Sequence, residues 1–339
     1  MNSLLLPLNY SIIANKACIL KNLIPLILLI KDGKFVSGQK LAEELNVSRA
    51  TISSWMADLS SFGLDISKIT GKGYRLSQPI ELLDRSLFLE QLDPFALSKL
   101  KVVDILAESD STNKNALTSE YQLNEWKLIA TEFQHAGRGR RGREWISPFG
   151  ANLLFSLGHK TLWKPETLYL ASIISGLAVV DVLRDLLGTN VRLKWPNDVY
   201  IGDRKVSGIL CELLGSPQDE ALLVVGVGLN VYFNPEATDI PSTKLIDHLH
   251  HKINKTTLLA KLTSAIIGKL TKANIEGVDD LQAQWQHVDY LKNKHVVVSQ
   301  GAKTYSGIAR GIDNSGQLML DIEGGDLKTF NGGEVSVRW

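Results

Sequence analysis

Cysteine is almost missing from this chain: its 339 residues include two, Cys18 and Cys211, far apart and in apolar surroundings. That excludes a disulfide framework and a zinc-ligand spacing, and suits a reducing compartment. An excess of charge of one sign is missing too, since 37 Lys and Arg stand against 36 Asp and Glu for a net charge of +1. A protein so balanced does not hold nucleic acid by bulk positive field, so any DNA binding must be local. No uninterrupted apolar run reaches the ~20 residues of a membrane-spanning helix. The apolar first 30 residues are broken by Asn15, Lys16, Lys21, Asn22 and Pro25. They have no clear charged start or small-residue cleavage site, so residues 1–22 read as an N-terminal extension and the expected location is the cytoplasm. Internal repeats and low-complexity tracts are absent as well, as is Gly-x-x-x-x-Gly-Lys-Ser/Thr.

What is present is a chain with 44% apolar and 22% charged residues, ordinary for a globular protein and long enough for two or three domains. Residues 23–80 read as three helices and a hairpin. Leu23 to Lys31 ends at the Asp32-Gly33 turn. Ser37 then caps a helix closed by Asn46, and Ser48 caps a second, Arg49 to Ser60, in which Ile52, Met56 and Leu59 share one face. Two short helices joined through Asn46-Val47-Ser48 match a helix-turn-helix, whose second helix offers its N-terminal polar residues to the major groove. Gly71-Lys72-Gly73-Tyr74-Arg75-Leu76 follows as a basic wing. The expected DNA contacts are Ser48, Arg49, Thr51, Ser53, Ser54, Lys72 and Arg75. Seven Lys and Arg against five Asp and Glu between Lys31 and Arg75 leave specificity to individual side chains.

Residues 81–289 read as a mixed α/β domain. Strands are expected at 102–106, 126–133, 152–157, 191–195, 199–201, 207–214 and 221–231, with long helices at 166–187 and 256–274. So many hairpin-like connections give an antiparallel or mixed sheet backed by helices rather than a doubly wound parallel one. Residues 290–339 change period: five short strands separated by glycine-bearing turns suggest a small SH3-like barrel. The fold class is therefore α+β, with a winged helix-turn-helix, a central mixed sheet and a C-terminal barrel.

Chemistry concentrates in a few stretches. Gln134 to Trp145 interleaves Arg138, Arg140, Arg141 and Arg143 with Gly137, Gly139 and Gly142. Glycine is costly to order and arginine's fork suits phosphate or carboxylate oxygens, so the segment reads as a lid over an anion. It matches Gly-x-Gly-x-x-Gly by letter, but arginines fill the gaps and a strand-like segment follows, which excludes a dinucleotide-binding turn. Lys194-Trp195-Pro196-Asn197-Asp198 ends a strand with a partly desolvated lysine. Ser111-Thr112-Asn113 supplies donors and acceptors for a polar uncharged head group, or else plain helix capping. Gly226-Val227-Gly228-Leu229-Asn230 lets a flat ligand approach the backbone.

In this order, together with Ser207-Gly208-Ile209-Leu210, these runs resemble those of the biotin–protein ligases, and the helix-turn-helix makes the chain similar to the bifunctional bacterial form that also represses a biotin operon. The resemblance covers Leu23 to the end and implies a catalytic fold like that of class II aminoacyl-tRNA synthetases. It implies two steps: with Mg2+, biotin's carboxylate attacks the α-phosphorus of ATP to give biotinyl-5′-adenylate, and a lysine of a biotin carboxyl carrier protein then takes the biotin. It implies biotin contacts from Ser111, Thr112, Asn113, Gln134, Arg138, Gly139, Arg140 and Lys194, with Gly208, Ile209 and Leu210 as apolar wall. Arg138, Arg140, Arg143 and Asn230 would hold ATP and the adenylate, and Lys194, Arg138 and Arg140 would act in catalysis. No metal ligand is assigned. The repressor-type members stack a tryptophan on the adenine from a loop after the Asn230 position; residues 232–250 contain none, so the cover of the purine is unassigned.

The resemblance further implies that the adenylate-loaded form homodimerises on a palindromic operator while the carrier protein competes for the same surface. Two other readings remain open from sequence: a ligand-sensing transcription factor without transferase activity, and a lipoate-type ligase.

Overall fold

The computed structural model describes residues 19–188, 190–216, 218–235, 240–322, 325–332 and 335–338. Most of the extension at 1–22 lies outside them.

Local capping fixes the N-terminal module. Helices α1 (Ile19–Ile30), α2 (Gly38–Glu44) and α3 (Arg49–Ser61) precede a hairpin of β1 (Ile66–Ile69) and β2 (Gly73–Leu76), paired Ile66 to Leu76. Ser37 Oγ accepts from Lys40 N at 3.1 Å and Ser48 Oγ from Thr51 N at 3.0 Å, as the sequence leads one to expect. Each such cap contributes about 1 kcal/mol. Asn46 turns the chain at φ 52°, a conformation asparagine tolerates better than most residues. Leu26, Ile27, Leu41, Ile52 and Leu59 close the module's core, which also takes in Phe149 from the central domain.

Two short helices, α4 (Arg85–Gln91) and α5 (Pro94–Lys99), lead into the central sheet. Its strands are β3 (Leu100–Leu106), β4 (Trp126–Thr131), β5 (Leu153–Thr161), β6 (Val191–Lys194), β7 (Asp198–Ile201), β8 (Arg204–Gly215) and β9 (Ala221–Leu229). They run in the order β3-β4-β5-β9-β8-β7-β6. Only β3 and β4 are parallel, and α6 (Thr112–Thr118) lies in the crossover that a parallel pair requires. The sheet is thus mixed, as expected.

Strand alternation assigns its two faces. Leu128, Ala130 and Val225 pack with α7 (Pro165–Leu187) and α8 (Lys255–Glu276), whereas Ile129 and Val224 pack under α6. Continuing along β9 on the α6 face, Leu222 and Val224 give way to Gly226 and Gly228. Below the start of α6 the sheet floor is therefore glycine backbone, on which other side chains can lie closely.

After α9 (Leu281–Gln286) come β10 (His295–Gln300), β11 (Lys303–Ile312), β12 (Leu318–Ile322), β13 (Leu327–Phe330) and β14 (Val335–Arg338). They form the expected five-stranded antiparallel, SH3-like unit in the order β13-β12-β11-β10-β14. It docks on the central domain where Trp195 Nε1 donates to Gly316 O at 2.9 Å. Among the described residues no helix is long and apolar enough to cross a membrane.

Candidate functional site

The glycine floor forms the bottom of a cleft of ≈ 1400 Å³ that collects every residue nominated above for biotin, ATP or catalysis. At one end, the start of α6 meets the end of β4. Thr112 N and Oγ1 both donate to Gln134 Oε1, at 2.8 and 3.3 Å, while Ser111 caps the helix with a long 3.5 Å bond from Lys114 N. Asn113 is built in more firmly than a ligand contact: its Nδ2 donates to Leu210 O at 3.1 Å and Glu212 Oε2 at 2.7 Å, and its Oδ1 accepts from Ser156 Oγ at 2.6 Å. It packs where a side chain at Gly226 would stand. This corner is a hydrogen-bonded shelf of hydroxyls and amides without a formal charge on its own three residues.

The arginine loop crosses the cleft. Gly139 N donates to Arg143 O at 2.7 Å and Trp145 N to Gly137 O at 2.9 Å, with a single 3-10 turn at Arg140–Gly142. No helix follows these glycines, in keeping with the exclusion of a dinucleotide turn. Arg140 points inward, Nη1 donating to Asn197 Oδ1 at 3.2 Å and Nη2 to Gly332 O of the C-terminal unit. Asn197 in turn donates to Ile209 O at 2.6 Å, so one amide ties the loop to the cleft wall. Arg138 stays half-exposed, 4.0 Å from Glu212, and Arg143 is exposed at the rim.

Lys194 ends β6 beneath the loop, buried at 6% exposure. Burial lowers its pKa to about 8, with Asp198 opposing the shift and Lys205, Arg143 and Lys294 adding to it. The sequence expectation of a desolvated lysine is met in geometry.

Sequence reasoning gave Trp145 no role. Its indole lies over Gly228, where an added Cβ would stand 2.5 Å from the ring, and beside Gly208. Lys205 Nζ sits 5.5 Å from the ring centre. The available signal was an aromatic residue directly after a cationic loop, paired with glycines on two adjacent strands. Asn230 stands beyond Gly228; its Nδ2 donates to Thr243 O at 3.1 Å, while its buried Oδ1 has no partner among the described residues. That oxygen suits an amine donor on a planar ligand.

On the N-terminal module, Arg49, Ser53 and Ser54 are exposed along the first turns of α3. Ser48 and Thr51 are partly engaged with each other, Oγ to Oγ1 at 2.8 Å. Lys72 is exposed at the wing tip, whereas Arg75 folds back over the Phe35 ring at 4.8 Å.

Known proteins give this geometry a setting. Residues 106–230 match the model of the biotin/lipoate A/B protein ligase family, 23–75 an HTH domain, and 293–338 a biotin protein ligase C-terminal domain. A bifunctional ligase/repressor of Escherichia coli is 38% identical over 94% of this chain and 98% of its own length. A biotin–[acetyl-CoA-carboxylase] ligase of Mycobacterium tuberculosis is 31% identical over 78% of this chain and 98% of its own. Among solved structures, the biotin protein ligase of Aquifex aeolicus in complex with biotin and ATP superposes with a TM-score of 0.59 at 28% identity, covering 70% of this chain and 99% of that one.

Proposed function

The chain belongs to the biotin protein ligase family and is a ligase that carries a helix-turn-helix repressor domain, and on that premise we propose how its residues divide the work. Biotin and ATP are its substrates. The bicyclic ring of biotin sits on the shelf of Ser111, Thr112 and Gln134 against Gly208, Ile209 and Leu210, with Asn113 bracing the shelf from behind. The adenine lies toward Asn230, whose open Oδ1 accepts from the exocyclic amine. Trp145 supplies the aromatic cover for which the sequence offered no candidate.

Between these ends the carboxylate of biotin attacks the α-phosphorus, the bond from that phosphorus to the bridging oxygen breaks, and pyrophosphate leaves. Lys194 and Arg140 neutralise the oxygens on which charge builds, a task that depends on position and charge alone. Arg138 and Gly139 close the loop over the adenylate, with Arg143 at the phosphate side. Mg2+ would come with ATP and offset charge on its phosphate oxygens, since the described residues hold no group of three or more His, Cys, Asp or Glu that could bind the ion by themselves. In the second step an acceptor lysine attacks the activated carbonyl and AMP departs.

The single observation that carries this reading is Lys194, a buried cation under an arginine loop and between a polar shelf and an adenine-sized floor. Its lowered pKa makes the reading testable. The charged form is required, so kcat/KM for biotin in pyrophosphate release should hold below pH 8 and fall through an alkaline limb centred near the free enzyme's value of about 8. A profile flat to pH 9.5 would remove Lys194 from the chemistry.

Gly228→Ala tests the other end. A methyl under the indole should displace Trp145 and speed loss of biotinyl-adenylate about tenfold or more, an overpacking cost of roughly 1–3 kcal/mol. Retention as in the parent protein would show that Trp145 is no cover.

The protein acts on a biotin acceptor protein and binds operator DNA with its helix-turn-helix domain. We propose that the acceptor is a biotin carboxyl carrier protein, that Ser48, Arg49, Thr51, Ser53, Ser54, Lys72 and Arg75 face the DNA, and that the adenylate-loaded form dimerises. The proposed units are 23–80, 81–289 and 290–339, and the proposed location is the cytoplasm.

A further inference from the structure

The polar shelf at the start of α6 has a hydrogen-bond direction as well as a place. Asn113 is buried, and both protons of its Nδ2 go to groups that only accept: Leu210 O at 3.1 Å and a carboxylate oxygen of Glu212, Oε2, at 2.7 Å. The two ends of a side-chain amide have nearly the same shape, so partner chemistry decides between them. Turned over, the amide would set its oxygen against a carbonyl and a carboxylate. Oδ1 therefore faces Ser156.

Ser156 is fully buried, 2.6 Å from Asn113 Oδ1 and 2.7 Å from Thr112 Oγ1, and it has one hydroxyl proton for the two. An amide oxygen cannot donate, so that proton is drawn to Asn113. Thr112 directs its own proton along the shelf to Gln134 Oε1 at 3.3 Å and keeps lone pairs for the cleft that it lines. With the amide reversed, Ser156 would accept from Nδ2 and turn its proton on Thr112, blocking that oxygen. An acceptor facing the cleft suits a head group that donates, such as the N–H of a cyclic urea. A dithiolane or an alkyl end has nothing to give it.

We propose that Glu212, two residues beyond Leu210 on β8, is a positioning residue: through Asn113 and Ser156 it fixes the polarity of the shelf and makes the cleft selective for a ureido head group. The inference rests on the proposed placement of biotin. Arg138, 4.0 Å from the other oxygen of Glu212, gives that carboxylate a second neighbour, but both side chains are partly exposed and such a pair contributes little.

The full-length protein and its Glu212→Met and Glu212→Gln variants are titrated with three probes. Biotin and desthiobiotin carry the ureido ring, the second without sulfur; octanoate has a chain and carboxylate only. Methionine fills the space of the glutamate stem without an acceptor, whereas glutamine keeps an oxygen for Asn113 and removes the charge beside Arg138. For Glu212→Met the dissociation constants of biotin and desthiobiotin, and KM for biotin, should rise about tenfold or more, the cost of a buried donor left without its partner. Competition by octanoate, KM for ATP and kcat at saturating biotin should stay close to the parent values. Glu212→Gln should recover most of the biotin affinity. Unchanged biotin affinity in Glu212→Met, or an equal loss of octanoate, overturns the role. A Glu212→Gln variant as weak as Glu212→Met also overturns it, assigning the effect to charge beside Arg138. A parent protein that binds no biotin overturns the biotin site itself.

Discussion

Lys194→Ala should slow pyrophosphate release from ATP and biotin roughly a hundred- to a thousandfold, the scale on which a single preorganised charge at a developing oxyanion acts. The residue is 6% exposed at the end of β6, and the water that would fill its place carries no charge to stand in for the ammonium. Arg140 is the nearest substitute, but its fork is engaged with Asn197 and Gly332. Lys194→Arg should not rescue, because the larger planar group has to fit a buried position shaped for a compact ammonium. Biotin affinity should fall far less than the rate, since the charge is needed most where phosphorus is attacked. Stopped-flow detection of pyrophosphate separates the two, and a rate within threefold of the parent protein would contradict the assignment.

Lys255→Met should cost about 3–5 kcal/mol of stability, the usual consequence of leaving a buried carboxylate without its cation. Lys255 and Glu132 are both fully buried and 3.2 Å apart. Lys255 Nζ also donates to Gly150 O at 2.6 Å, and Glu132 Oε1 accepts from Leu83 N. The pair therefore pins together the start of α8, the connector behind the helix-turn-helix, and both roots of the arginine loop, since Glu132 precedes it and Gly150 follows it. Thermal unfolding should show a drop on the order of 10 °C for a chain of this size. Glu132→Gln combined with Lys255→Met should recover much of the loss, because the isolated charge is what costs. A single variant as stable as the parent would mean that the pair is dispensable.

These two lysines show what sequence can and cannot reveal. Lys194 was found because its neighbours form a recognisable run. Nothing in the sequence around Lys255 sets it apart, and its partner lies 123 positions away. Elements fixed locally were legible: the caps at Ser37 and Ser48, the end of α7 at Gly188, and all five C-terminal strands came from periodicity and turn chemistry. The six-residue helices α5 and α9 did not, being too short for a helical period to emerge.

Strand β5 runs on to Thr161, past the expected end at Leu157, because His159 is an interior residue. It stacks on Trp126 at 4.2 Å, and burial lowers its pKa to about 4, so it packs as a neutral ring where its letter suggests a polar break. At the site, the motifs located the floor, the loop and the lysine. Trp145, Lys294 and the bracing role of Asn113 depend on which strands become neighbours, and composition carries no trace of that.

The central claim is that one cleft activates biotin with ATP and passes it to a protein lysine. Intact-mass measurement of a biotin carboxyl carrier domain, incubated with this protein, ATP and Mg2+ and offered biotin, lipoate or octanoate, tests it most directly. The account predicts a gain of one biotinyl group on a single lysine, requiring both ATP and biotin and lost with Lys194→Ala. A carrier that gains no mass with biotin, or gains a lipoyl or octanoyl group instead, would contradict it.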